Sequence, residues 1–183
     1  MATEWLGALS FHGRIVEIAA GTGWWSPLLA RKGRLTLYDA AAEPLEVAQA
    51  RLAAAGLAAE FEVRDAWAAP VRSVDGVFTG FWMSHVERSR LDEFLRLCAR
   101  WLAPGGLIAF VDSRPDPESG AADHRPPEDD VQLRRLHDGR SFRVRKIYYE
   151  PADFESALRA AGFEDIEVLT TDRFFVLGSA RRR

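Results

Sequence analysis

Glu17-Ile18-Ala19-Ala20-Gly21-Thr22-Gly23 sets a carboxylate and two glycines at the end of a β-branched run. Gly21 and Gly23 let backbone approach a ligand closely, and the start of a following helix favours an anionic group. Two glycines alone describe a tight turn as readily as a site. Two further carboxylates sharpen the reading. Asp39 ends the second β-type run, where a carboxylate can accept hydrogen bonds from both ribose hydroxyls. Asp65, followed by Ala66 and Trp67, ends the third, and a carboxylate beside a backbone amide suits an adenine edge. One acidic residue after a strand is commonly a turn or a helix cap. Two at successive strand ends beside a glycine turn point to a nucleoside-bearing ligand.

A second set lies further on. Trp82-Met83-Ser84-His85-Val86 follows the fourth β-type run. His85 can serve as a general base for a hydroxyl or as a donor to an anion, against the plain alternative of a turn histidine packed on Trp82. Arg143 and Lys146 are candidates for an anion clamp, with Arg114 as a third cation and Tyr148 and Tyr149 as lining. In a regular strand Arg143 and Arg145 share one face and Lys146 points to the other. Arg143 and Lys146 therefore converge on one ligand only through a bend, a bulge, or a ligand reaching round an edge. Ser26 and Ser84 lie in no Gly-x-Ser-x-Gly turn, and His12, His85, His124 and His137 are too scattered for a metal site.

These residues meet only if several strand ends share one edge. Strands are expected at Arg14–Ala19, Leu35–Tyr38, Glu60–Arg64, Gly76–Thr79 and Leu107–Val111, with two closing strands at Glu164–Leu169 and Arg173–Leu177. Helices are expected from Trp24 to Arg31 and through Leu45, Ala48, Leu52 and Ala55. Another follows the stripe Leu91, Phe94, Leu95, Cys98, Trp101 and Leu102, with Ser89 and Asp92 resembling a capping box, and a fourth runs from Pro151 to Ala161. Pro104-Gly105-Gly106 should end the striped helix. Val131–His137 reads as a short helix and Phe142–Tyr149 as strand-like. Four prolines and six acidic residues between Arg114 and Asp130 read as a surface insertion, extending to about residue 141, within one domain spanning 1–183. Alternating strands and helices imply an α/β fold, a doubly wound and mostly parallel sheet. Thr170 to Asp172 is too short for a crossover, so the last strand should run antiparallel.

Composition narrows the classes. The 183 residues are 48% hydrophobic and 28% charged, with net charge −3, which argues against a nucleic-acid binder. One cysteine excludes an internal disulfide. No apolar run approaches a membrane span, and Met1–Ser10 does not read as a secretory signal, so the expected compartment is cytoplasmic. The terminal Arg181-Arg182-Arg183 reads as a frayed solubilising tail. Four of the six tryptophans, Trp24, Trp25, Trp67 and Trp82, follow strand ends, as an aromatic-walled pocket would require.

The pattern Glu17-x-Ala19-x-Gly21-x-Gly23, Asp39, Asp65, Asp75 and Leu102-Ala103-Pro104-Gly105-Gly106 resembles the class I S-adenosylmethionine-dependent methyltransferases. That resemblance implies a Rossmann-like seven-stranded sheet. It implies that S-adenosylmethionine is held by Glu17, Ala19, Ala20, Gly21, Thr22, Gly23 and Trp24 at its methionine end, by Asp39 and Ala40 at the ribose, and by Asp65, Ala66 and Trp67 at the adenine, with Phe81 beside it. Ala19 stands where the family normally has glycine. A nicotinamide-dependent oxidoreductase shares the glycine turn but would need glycine where Ser26 stands. Trp82–Val86 and Asp138–Lys146 also resemble the phosphonate O-methyltransferases of dehydrophos biosynthesis. This implies a small anionic acceptor met by Trp82, His85, Arg114, Arg143, Lys146 and Tyr148, with His85 catalytic. RNA or protein methylation, or cofactor binding without catalysis, remain alternatives, and the protein is read as a monomer or homodimer. Members of this family usually carry an N-terminal helical segment over the cofactor. With Met1–Gly13 alone, either a reduced lid or a truncated chain is expected.

Overall fold

A computed structural model describes residues 1–115, 130–135 and 139–183. Seven strands form the main sheet: β1 (Arg14–Ile18), β2 (Arg34–Asp39), β3 (Glu60–Val63), β4 (Val74–Gly80), β5 (Leu102–Ser113), β8 (Phe163–Thr170) and β9 (Phe175–Arg182). Their order is β3-β2-β1-β4-β5-β9-β8. The first five are parallel, and β9 runs antiparallel to both β5 and β8. This is the seven-stranded Rossmann-like methyltransferase fold, antiparallel last strand included. The order steps outward from β1 to β3, then restarts at β4, so β1 and β4 flank the switch point where such sheets bind ligands.

Period-2 alternation sorts the strand residues between two layers. Ile15, Leu37, Phe78, Leu107, Ala109 and Val111 pack with α2 (Ser26–Ala30) and α3 (Ala42–Ala54), through Leu29, Leu45, Ala48 and Leu52. Val16, Ile18, Val77, Ile108 and Phe110 pack with α4 (Leu91–Trp101) and α5 (Pro151–Ala160), through Phe94, Leu95, Phe154 and Leu158. The expected stripe of α4 is buried from Leu91 to Trp101. α1 (Ala2–Ala8) buries Leu6, and Lys32 Nζ donates to the carbonyls of Gly7 and Leu9 at 2.7 and 2.8 Å, anchoring its C-terminal end. No helix among the described residues is long and apolar enough to cross a membrane.

Several local expectations are corrected. α2 covers only Ser26–Ala30, because the glycine turn and Trp25 precede it. α4 starts from Arg90 without a side-chain cap, so Ser89 and Asp92 form no capping box. Such a box stands instead at α5, where Asp153 Oδ2 accepts the Glu150 N–H at 3.0 Å. β5 begins at Leu102 and carries Pro104-Gly105-Gly106 within it. Arg181 and Arg182 are not a frayed tail: both lie in β9, and Arg181 donates to the Gly105 carbonyl and Ser10 Oγ. The helix expected from Val131 is β6 (Val131–Arg135), paired antiparallel with β7 (Ser141–Arg145) as a separate ribbon. A partner strand offers the backbone groups of alternate residues ladder bonds, which outweighs the signal of a helix too short to hold itself. The remainder of the expected insertion, residues 116–129 and 136–138, lies outside the described residues.

Candidate functional site

The turn after β1 winds through left-handed backbone. Gly21 and Gly23 have φ of +54° and +69°, and Ala19 adopts +50°. Alanine pays about 1–2 kcal/mol for that conformation, so the departure from glycine shows as local strain rather than a different path. A Cβ built on Gly23 would lie 2.7 Å from the Ala48 Cβ, so this glycine exists to seat the turn on α3. A Cβ on Gly21 would meet nothing within 4 Å. The backbone there is open to an approaching molecule.

Asp39, at the end of β2, ties into this turn. Its Oδ2 accepts the Gly21 N–H at 2.8 Å and its Oδ1 the Ala41 N–H at 3.1 Å. Each oxygen keeps a lone pair for a further donor. Glu17 is 1% exposed, and its carboxylate receives the Ser26 hydroxyl at 2.5 Å. Burial raises its carboxyl from 4.5 to about 8, partly offset by that hydrogen bond. Asp65 is exposed, and its Oδ1 accepts the Trp67 N–H at 2.8 Å. Ala66 is buried beside it. Trp67 packs edge-on against Phe94 at 5.0 Å, with the Arg90 guanidinium 3.9 Å over its ring.

The ends of β4 and β5 carry the second set. Phe81 leaves β4 with φ of +61°, its N–H bonded to the Val111 carbonyl at 2.7 Å. Met83–His85 then form a single 3-10 turn. His85 Nδ1 lies 2.6 Å from the Arg145 carbonyl oxygen. A carbonyl only accepts, so Nδ1 carries a proton and Nε2 is the basic nitrogen of the neutral ring. Trp82 stands between His85 and Phe94, 6.3 Å from each ring.

The cations separate. Lys146 is buried, and its ammonium meets Ser84 Oγ and Ser113 Oγ at 2.9 Å each and Asp112 Oδ1 at 3.5 Å. Arg143 is exposed on β7. Burial thus separates the two cations, Lys146 inside and Arg143 exposed, as strand parity leads one to expect for a regular strand. Arg114 Nη1 donates to the Thr171 carbonyl at 2.5 Å, which commits it to the β8–β9 turn. Tyr148 is half-buried, with the Lys146 ammonium 5.7 Å from its ring. Tyr149 belongs to the core: its hydroxyl donates to the Val86 carbonyl at 2.8 Å, and burial pushes it up to about 12.

The tryptophans divide likewise. Trp24 is 66% exposed and stacked by Arg51, whereas Trp25 is buried on Phe78. Trp67 and Trp82 remain beside the strand ends, so the aromatic wall is half of what the spacing implies.

A methyltransferase-domain profile matches residues 15–106, half of the chain. The chain is 31% identical to the protein of the DhpI–SAH complex, covering 99% of this chain and 82% of that one at a TM-score of 0.82. For the DhpI–SAM–HEP complex the identity is 32%, the coverage 98% and 83%, and the TM-score 0.82. The chain belongs to the class I S-adenosylmethionine-dependent methyltransferases. It is also 27% identical over 156 residues to phosphoethanolamine N-methyltransferase 1 of Caenorhabditis elegans. That match takes in 84% of this chain but 30% of the relative, so the methyltransferase spans less than a third of that protein's length.

S-adenosylmethionine fits the residues present. The open backbone at Gly21 and the spare lone pairs of Asp39 face the same turn. Two polar residues around Lys146, Asp112 and Ser113, escaped the sequence reading, and Ser84 entered it only as part of Trp82–Val86. The available signal was Asp112 itself, a carboxylate directly after the apolar run Leu107–Val111.

Proposed function

We propose that this methyltransferase places its methyl group on an oxygen of a small anionic acceptor, a phosphonate being the favoured class. When bound, S-adenosylmethionine supplies an electrophilic methyl on a sulfonium. Asp39 and Ala40 hold its ribose, Asp65, Ala66 and Trp67 its adenine, and Glu17 with the Ala19–Gly23 turn its methionine end; Phe81 borders it.

The observation that carries the acceptor reading is His85. Its Nδ1 is spent on the Arg145 carbonyl, so Nε2 is the nitrogen that meets the acceptor. It takes a proton from a hydroxyl acceptor, or as imidazolium donates to an ionised one. An ionised oxygen needs mainly orientation and exclusion of water, and orientation contributes roughly 7–11 kcal/mol at best. Trp82 and Tyr148 line the acceptor side, and the exposed Arg143 draws an anion toward it. The likeness above 30% identity to the DhpI complexes supports this class, as does the resemblance of Trp82–Val86 to phosphonate O-methyltransferases.

The test is transfer of labelled methyl from S-adenosylmethionine to separate pools of alkylphosphonates, phosphate monoesters, carboxylates, phosphoethanolamine and RNA. The expected product is a phosphonate methyl ester. Label on the nitrogen of phosphoethanolamine, or on RNA alone, overturns the reading.

A further inference from the structure

Residues 84–85 and 145–147 lie some sixty positions apart, yet they are stitched in both directions. The Ile147 N–H donates to the Ser84 carbonyl at 2.8 Å, Lys146 Nζ to Ser84 Oγ at 2.9 Å, and His85 Nδ1 to the Arg145 carbonyl at 2.6 Å. Asp112 closes the set: its Oδ2 accepts the Ser84 N–H at 2.8 Å and its Oδ1 the Ser113 N–H at 2.7 Å.

We propose that Lys146, anchored on Asp112, is the positioning residue that fixes the tautomer and ring orientation of His85 for methyl transfer. The proposal rests on the His85 reading above. The carbonyl that holds His85 belongs to the Arg145–Lys146 peptide. In a trans peptide the C=O and N–H point in opposite directions. The Lys146 N–H is bonded to the Asp130 carbonyl at 2.8 Å, which turns the Arg145 oxygen the other way, toward His85. The Lys146 side chain pins the same peptide from within, its ammonium 6% and the Asp112 carboxylate 2% exposed. A buried ion pair is often no better for stability than apolar residues of similar volume. What it adds is direction: among the described residues the ammonium hydrogen-bonds Ser84 Oγ on the 3-10 turn and Ser113 Oγ on β5 and pairs with the Asp112 carboxylate. Ring orientation at His85 is then inherited from the Lys146–Asp112 contact.

Lys146→Met alone leaves a buried carboxylate without its cation and is expected to fold poorly. The informative variant is Lys146→Met combined with Asp112→Asn, which neutralises both partners. In protein labelled with 15N-histidine, long-range proton–nitrogen correlation reads the His85 tautomer. The wild type should show Nδ1–H; a wild type in the Nε2–H form overturns the proposal without any variant. The double variant should bind S-adenosylmethionine within about twofold of wild type by calorimetry, show a mixture of His85 tautomers, and lose about tenfold or more in kcat at nearly unchanged acceptor KM. A folded double variant with unchanged tautomer and kcat makes the pair merely structural. A rise in KM with the tautomer retained makes Lys146 an acceptor contact. Either result overturns the positioning role. His85→Gln at full activity would sink the His85 reading instead, while the tautomer measurement still tests the coupling.

Discussion

At the β1–β3 end of the sheet the shaping contacts close over short stretches of chain: Asp65 to Trp67 across two positions, Ser26 to Glu17 across nine, Gly21 to Asp39 across eighteen. At the β4–β5 end they reach across twenty-eight positions for Ser84 and Asp112, sixty for His85 and Arg145, and sixty-two for Lys146 and Ser84. The cofactor end is thus set by local turns that any chain with these residues could rehearse. The acceptor end exists only once the sheet and the β6–β7 ribbon have come together. On the proposed reading, the difference separates a site for a common ligand from one that must choose its substrate.

If the two ends are independent, variants should split cleanly between cofactor and acceptor. The largest effect is expected for His85→Gln: kcat falls about a hundredfold or more, with calorimetric affinity for S-adenosylmethionine unchanged. A matching loss of cofactor affinity would merge the two ends. Asp39→Ala should do the reverse, weakening cofactor binding about tenfold or more, the scale of a lost charged hydrogen bond. Unchanged affinity would remove Asp39 from the ribose role.

Within the cofactor end, the two glycines should part company. Gly23→Ala drives a Cβ into Ala48 and should cost about 2–4 kcal/mol in urea denaturation. Gly21→Ala should cost only the backbone share, about 1–2 kcal/mol, while cofactor affinity drops sharply because the new methyl enters open space. Equal behaviour of the two would mean the space beyond Gly21 is not the ligand's.

Glu17 gives a pH signature. Its carboxyl is raised by burial from 4.5 to about 8. The folded protein therefore holds this proton more tightly than the unfolded chain. The contribution to stability is complete below pH 4.5 and is lost as pH rises through about 8. Glu17→Gln should flatten that decline in the difference between variant and wild-type unfolding curves from pH 5 to 8.5. Parallel curves would show an ionised Glu17. The smallest effect is expected at Arg143→Ala, about a two- to fivefold rise in acceptor KM with cofactor affinity intact, since an exposed cation contributes little.

The geometry of the proposed cofactor end was legible in good part because its contacts are short-range. Gly21, Gly23, Asp39 and Asp65 stand at strand ends that period-2 runs and turn residues mark locally. Sequence adjacency to the turn did not say which way the Trp24 indole leaves it, and the structure leaves that ring exposed under Arg51. The acceptor end was legible as an inventory rather than as a geometry. Parity correctly warned that Arg143 and Lys146 diverge, but nothing in the spacing named Asp112 as the partner of Lys146.

The sequence by itself determined the order of the main-sheet strands and their helices, the antiparallel last strand, the two buried faces and the residues of the glycine turn. Each follows from a period, a breaker or a connection length. Tertiary structure alone decided that residues 131–135 pair as a strand, that Lys146 turns inward to Asp112, and that His85 Nδ1 meets the Arg145 carbonyl. Those outcomes depend on which backbone and side-chain groups meet across tens of residues, and a hydrogen bond's direction is fixed only when both of its ends are in place.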